Sequence, residues 1–129
     1  MDMTFEISFD TSEDYVYVKT AGHASPEGFD RLMTALVNSP QWKRDGKQII
    51  DHRNLKGKNL RAGEIQQIKN IVSNYKEQIG HGKVAYVIPD TLGYGLVRMY
   101  ELMGGQNLHR EMAVFYTLDE AVEWLKRKV

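Results

Sequence analysis

Gly82-Lys83-Val84-Ala85-Tyr86-Val87-Ile88-Pro89-Asp90 is the stretch that decides the fold of this chain. Val84 to Ile88 is an unbroken apolar run, closed by Gly82 before it and by Pro89-Asp90 after it. Such a run between turn residues reads as a strand apolar on both faces. That is the habit of a parallel strand covered by layers on both sides. Met112 to Tyr116 repeats the pattern and makes the last strand.

The segments on either side carry the period of helices. Upstream, Ile65, Ile68, Val72, Tyr75 and Ile79 follow a three-four-three-four spacing, and Gly80 and Gly82 stop it. Downstream, Leu92, Leu96, Met99, Tyr100 and Met103 line one side of a helix that Gly104-Gly105 ends. Further upstream, Gln48 to Asp51 is a short strand, set off by Asp45-Gly46 and Pro40. Before it, Ser25 and Pro26 open a helix as N-cap and first helical residue, with Phe29, Leu32, Met33, Leu36 and Val37 as its apolar stripe. Phe5, Ile7 and Phe9 alternate with polar residues, and Tyr15 to Thr20 alternates again after the polar turn Asp10 to Asp14, so a hairpin begins the chain. At the far end Thr117 and Glu120 form a capping box for a closing helix, which buries Ala121, Val122 and Trp124 or Leu125 and ends in Lys126, Arg127 and Lys128.

Helix and strand alternate throughout 129 residues. This predicts one α/β domain over residues 1–129 with a mainly parallel five-stranded sheet, an N-terminal hairpin and four helices. If the strands are laid down in order with right-handed crossovers, the helices fall mostly on one face. The other face then needs a cover, and a homodimer partner over part of it is expected.

Composition narrows the function. There is no cysteine, which excludes disulfides, thiolate metal sites and thiol catalysis. Seventeen basic residues balance seventeen acidic ones, against the basic surplus of a general nucleic-acid binder. The start, MDMTFEISFD, is acidic and lacks the features of a signal peptide, and Val84 to Pro89 is far too short to span a bilayer. A cytoplasmic protein is expected.

Several marks recur at family-like spacings. They are Gly22-His23 after the second strand, Asp51-His52-Arg53 after the third, and Gly82-Lys83-Val84-Ala85 opening the fourth. Val114-Phe115 and Ala121-x-x-Trp124-Leu125 complete them. With the element order, they make the chain resemble the bacterial SpoIIAA-like proteins, related to STAS and SEC14 domains, over nearly its whole length. The resemblance implies a superhelix of strand–helix units. It also implies one of two roles: protein-partner switching, as in anti-sigma-factor antagonists, or holding an apolar or amphiphilic ligand, as in SEC14 relatives. Such antagonists carry a phosphorylatable Ser or Thr after the third strand, at the start of the second helix. Here that place reads Asp51-His52-Arg53-Asn54-Leu55-Lys56-Gly57, and no Ser or Thr occurs from Pro40 to Val72.

The site residues expected from this layout flank the ends of the third and fourth strands: Asp51, His52, Arg53, Lys56, Asp90, Tyr94 and Arg98. Ligands of open α/β sheets bind at that edge. Asp51 and Asp90 are read as helix caps or ion-pair partners of Arg53 or Arg98 rather than as an acid–base pair. Arg53 to Arg61 is a basic loop fit to meet an acidic partner or an anionic head group. Leu92-Gly93-Tyr94-Gly95 lacks the third glycine of a dinucleotide turn, because Arg98 stands there. His23, His52, His81 and His109 share no metal-ligand spacing. No catalytic set, metal or cofactor is therefore expected. The reading is a non-enzymatic interaction module without the usual phosphoacceptor. The alternative is a carrier or sensor of a small lipid-like ligand, motivated by Met33, Met99, Met103, Tyr94 and Tyr100.

Overall fold

The computed structural model describes residues 2–57, 60–89 and 111–127. It contains β1 (Thr4–Asp10), β2 (Tyr15–His23), α1 (Pro26–Val37), β3 (Lys47–Lys56), α2 (Ala62–Asn74), α3 (Lys76–Ile79), β4 (Val84–Val87), β5 (Met112–Phe115) and a closing helix, α4 (Leu118–Lys126). The third helix expected at Leu92 to Met103, and with it Asp90, Tyr94 and Arg98, lies outside the described residues.

The sheet has five strands in chain order, β1-β2-β3-β4-β5. β1 pairs with β2 antiparallel, and β2 with β3, β3 with β4 and β4 with β5 are all parallel. The hairpin turn is tightened by Asp10, whose Oδ1 accepts the N–H of Ser12 at 3.1 Å and of Glu13 at 2.9 Å. Ser25 caps α1 as its sequence indicates, accepting the Gly28 N–H at 3.0 Å. Thr117 caps α4, accepting the Glu120 N–H at 3.2 Å.

Two apolar layers cover the sheet. On one face Val16, Val18, Ile50, Val84 and Tyr86 meet Phe29, Leu32 and Leu36 of α1, Ile65, Ile68 and Val72 of α2, and Ile79 of α3. On the other face Ile49, Ala85 and Val87 meet Ala121 and Leu125 of α4. α1, between β2 and β3, and α2 and α3, between β3 and β4, share a face, as right-handed crossovers require. The closing helix departs from this pattern. No described strand follows it, so the crossover rule does not set its side, and it packs on the apolar residues of β3 and β4. The sheet face that suggested a homodimer partner is thus covered over β3 and β4 by the chain's own C-terminal helix.

Other expectations are adjusted by neighbours. All four residues of β4 are buried, as the sequence indicates. β5 is an edge of the described sheet, and its Val114 is exposed, so it is not covered on both faces. The helix expected through Ile79 is broken at Tyr75, whose hydroxyl donates to Asp30 at 3.0 Å and lies 2.7 Å from the Thr34 hydroxyl, both on α1. Among the described residues no helix is long and apolar enough to cross a membrane.

Candidate functional site

β3 is ten residues long rather than four, and this changes the expected site. β4 ends with Val87 opposite Asp51. β3 continues beyond that level, paired with β2 through Asn54, Leu55 and Lys56 opposite Ala21, Gly22 and His23. Arg53 and Lys56 therefore belong to a strand, not to a basic loop, and Asp51 is mid-strand rather than at the strand's end. Extended pairing with β2 satisfies backbone groups that a loop would leave to water. The true connection to α2 is short, and α2 starts at Ala62 with Arg61 as its N-cap residue. Glu64 accepts the Arg61 N–H at 3.1 Å; the arginine side chain has no acceptor to complete the box.

A bulge shapes the strand. Lys19 pairs with Asp51 and Ala21 with Asn54, so β3 spends one extra residue there. An extra residue breaks the alternation of faces. Asp51 and Arg53 share the α4 side of the sheet with Tyr17, whereas His52 and then Leu55 turn to the α1 side. Arg53 and Asn54 are consecutive exposed residues as a result.

On the α4 side, Arg53 grips Asp51 with two parallel bonds, Nη2 to Oδ2 at 2.7 Å and Nε to Oδ1 at 3.0 Å. The Arg53 backbone N–H adds a third at 3.1 Å, and the Tyr17 hydroxyl donates to Oδ2 at 2.5 Å. The Asp51 side chain is 2% exposed and that of Arg53 42%. Burial alone would raise the Asp51 carboxyl, but the bonds from Arg53 and Tyr17 outweigh it and hold the group below its ordinary value. Burial, reinforced by the bond to Asp51, pushes the Tyr17 phenol up to about 12. Its bond to Asp51 pushes the Arg53 guanidinium above its ordinary range. None of the three changes charge near neutral pH, so the set offers fixed charge and hydrogen-bond donors rather than proton transfer.

His52 is not part of this set. It is fully buried beneath α1, with Nδ1 2.6 Å from the Thr20 hydroxyl and its ring 5.9 Å from both Phe29 and Tyr86. Burial drives it down to about 4, against the opposing pull of Asp51. It is a neutral core residue, not a rim residue.

The structure thus joins Asp51 and Arg53, puts Lys56 further along the same strand beside His23, and turns His52 away. Tyr17 is a member that the sequence reading does not include. A signal for it exists: Tyr15 and Tyr17 alternate opposite Val16 and Val18, which places them on the sheet's second face. Among the described residues no cluster of three His, Asp or Glu side chains could hold a metal ion.

No protein-family model matches the chain, and no curated protein sequence matches it. Solved structures do. A DUF3478-family protein with a SpoIIAA-like fold from Shewanella loihica PV-4 superimposes with a TM-score of 0.61 at 16% identity, covering 95% of this chain and 93% of its own. An anti-sigma factor antagonist from Mycobacterium paratuberculosis superimposes with a TM-score of 0.59 at 14% identity, covering 98% of this chain and 96% of its own. These identities speak to architecture alone, and with the strand order and the helix layer they establish that this chain has the SpoIIAA-like fold.

Proposed function

We propose that the chain is a single-domain, non-enzymatic regulatory module that acts by protein contact, in the manner its antagonist-like fold suggests. The observation that carries this reading is the Tyr17–Asp51–Arg53 set on the part of the sheet face near β2. Tyrosine and arginine are the side chains that most often dominate protein interfaces. Here both are held in place before a partner arrives, which lowers the entropy lost on binding. Arg53 uses Nε and Nη2 within the chain and keeps further N–H donors for a partner's carboxylate. Lys19 and Lys56 are exposed on the same strand pair and extend the positive character. An acidic protein surface is the matching partner.

Control by phosphorylation at the usual place is not part of the proposal. The first turn of α2 is Ala62-Gly63-Glu64 after Arg61, without a hydroxyl to modify. The carrier reading has less to rest on. Met33 is a core residue on the buried face of α1, and Met99, Met103, Tyr94 and Tyr100 lie outside the described residues.

The test is crosslinking in cell extract at low salt with wild type and with Lys19→Glu/Lys56→Glu. Neither lysine is in the clamp, so the fold is retained and checked by circular dichroism. Partners recovered by wild type and lost by the double variant support the reading. An identical set of partners with both proteins rejects it.

A further inference from the structure

β1 is an outer strand of the sheet, and among the described residues only β2 pairs with it. The pairing runs in unbroken register from Thr4 opposite Ala21 to Asp10 opposite Tyr15. The other side of β1 therefore presents a row of backbone N–H and C=O groups. Folded proteins blunt such edges with proline, lysine, a bulge or a very short strand. Thr4-Phe5-Glu6-Ile7-Ser8-Phe9-Asp10 has no proline, lysine or bulge and is seven residues long. We propose that β1 pairs antiparallel with β1 of a second copy of this chain, so that two sheets join edge to edge into one.

The sequence of β1 complements itself in one register. Identical strands that pair antiparallel are related by a two-fold axis normal to the sheet, and residues opposite each other share a face. Side chains alternate between faces, so the axis must pass at a residue and not between two. With the axis at Ile7, Ile7 meets its own copy and Phe5 meets Phe9 of the second copy. These three residues are half-buried against the core on the α1 side, and their apolar row continues across the seam. On the other face Glu6 meets Ser8 of the second copy, and Thr4 at one end meets Asp10.

Charge rejects the neighbouring registers. An axis at Glu6 sets the two glutamates against each other, and an axis at Ser8 sets Glu6 against Asp10. Like charges directly opposite destabilise a strand pair. Both shifts also leave residues unpaired at an end, whereas the Ile7 register uses the whole strand. Glu6 is balanced within its own chain, because Lys19 stands opposite it on β2. The single charge inside β1 thus selects the register rather than blocking the edge. β2 separates this edge from Asp51 and Arg53 on β3, so the dimer does not rest on the protein-contact reading.

Sedimentation of the purified chain over about 10–500 μM tests the proposal. The expected result is a rise from the monomer mass to twice that mass. Ser8 is exposed, so changing it spares the core, and circular dichroism checks the fold. Ser8→Glu sets a carboxylate opposite Glu6 at two symmetric places and should weaken the dimer about tenfold. Ser8→Lys sets an ammonium group there and should tighten it. Thiols, which the chain lacks, read the register. Directly opposite residues have Cα atoms about 4.5–5.5 Å apart, within the span of a disulfide. A mixture of Glu6→Cys and Ser8→Cys should therefore crosslink under mild oxidant faster than either variant alone. A monomer throughout the range overturns the proposal. So does a dimer that both Ser8 charge variants leave unchanged or shift the same way, or one that either thiol variant alone crosslinks as fast as the mixture. The crosslinking in extract reads other proteins and this test reads the purified chain, so each can fail without the other.

Discussion

Arg53 turns back two residues along its own strand to hold Asp51 by both carboxylate oxygens. In a regular strand, residues two apart share a face but project in parallel, about 6–7 Å apart. Here the bulge beside Asp51 and the length of the arginine side chain let the fork close on its neighbour. The consequence is asymmetric, because the carboxylate is buried and the guanidinium is half in water.

Arg53→Ala is expected to cost more than Asp51→Asn. The first leaves a buried carboxylate with Tyr17 and one backbone N–H, a loss of about 2–4 kcal/mol. The second leaves a solvated arginine and an amide that still accepts from Tyr17, a loss of about 1–2 kcal/mol. Urea unfolding of the two variants at pH 7 measures the difference. Equal losses below about 0.5 kcal/mol would mean that the pair behaves as an ordinary surface ion pair.

His52 makes stability depend on pH. Its pKa is about 4 in the folded chain against an ordinary 6.5. Between those values the unfolded chain binds a proton that the folded chain refuses, so stability is full above pH 6.5 and falls as pH drops toward 4. The total is on the order of 3 kcal/mol. Asp51 acts in the same direction at lower pH, because its depressed pKa contributes stability that is lost as the carboxyl protonates. Urea midpoints at pH 7, 6 and 5 should decline, and His52→Gln should flatten the slope. A ring proton of His52 that titrates near 6.5 in the folded protein contradicts this.

Two glycines separate backbone need from helix preference. Gly80 has φ +81, and a Cβ there would meet Asp45 Oδ1, the atom that accepts from His81. Gly80→Ala should therefore destabilise by about 2 kcal/mol or more. Gly63 is in the first turn of α2, and a Cβ added there would meet no atom within 4 Å. Gly63→Ala should stabilise by about 0.5–1 kcal/mol. Thermal melts of the pair should move in opposite directions.

α4 covers the sheet face that would otherwise be apolar and open. Leu125 is 3% exposed against Ile49, Ala85 and Val87. Leu125→Ala should cost about 2–4 kcal/mol. Leu125→Asp should expose the patch and drive self-association, seen as a rise in mass by light scattering. A Leu125→Asp protein that keeps the wild-type mass and stability would show that α4 is not what seals this face.

Much of the architecture is legible in the sequence because it rests on local period. The β4 run, the α1 stripe and the caps Ser25 and Thr117 are read from residues a few positions apart. The fate of Asp51-His52-Arg53 is not. An apolar pattern stops at Ile50, and nothing in Asn54-Leu55-Lys56 announces pairing with Ala21 to His23. Nor does a sequence period reveal a bulge, since one inserted residue reverses the faces after it. Because the strand reads as ending at Asp51, His52 reads as a rim residue although it is beneath α1, and Tyr17, distant in sequence, does not stand out although it completes the Asp51 site.

By itself the sequence determined a hairpin followed by alternating helices and strands, because hydrophobic spacing and end signals act over a turn or two of chain. Only the tertiary structure decided that α4 covers the second face over β3 and β4, that β3 runs on past β4, and that Tyr17 meets Asp51. Those outcomes depend on which apolar surfaces and backbone edges remain unsatisfied once distant segments meet, and that balance is set by contacts far apart in the chain.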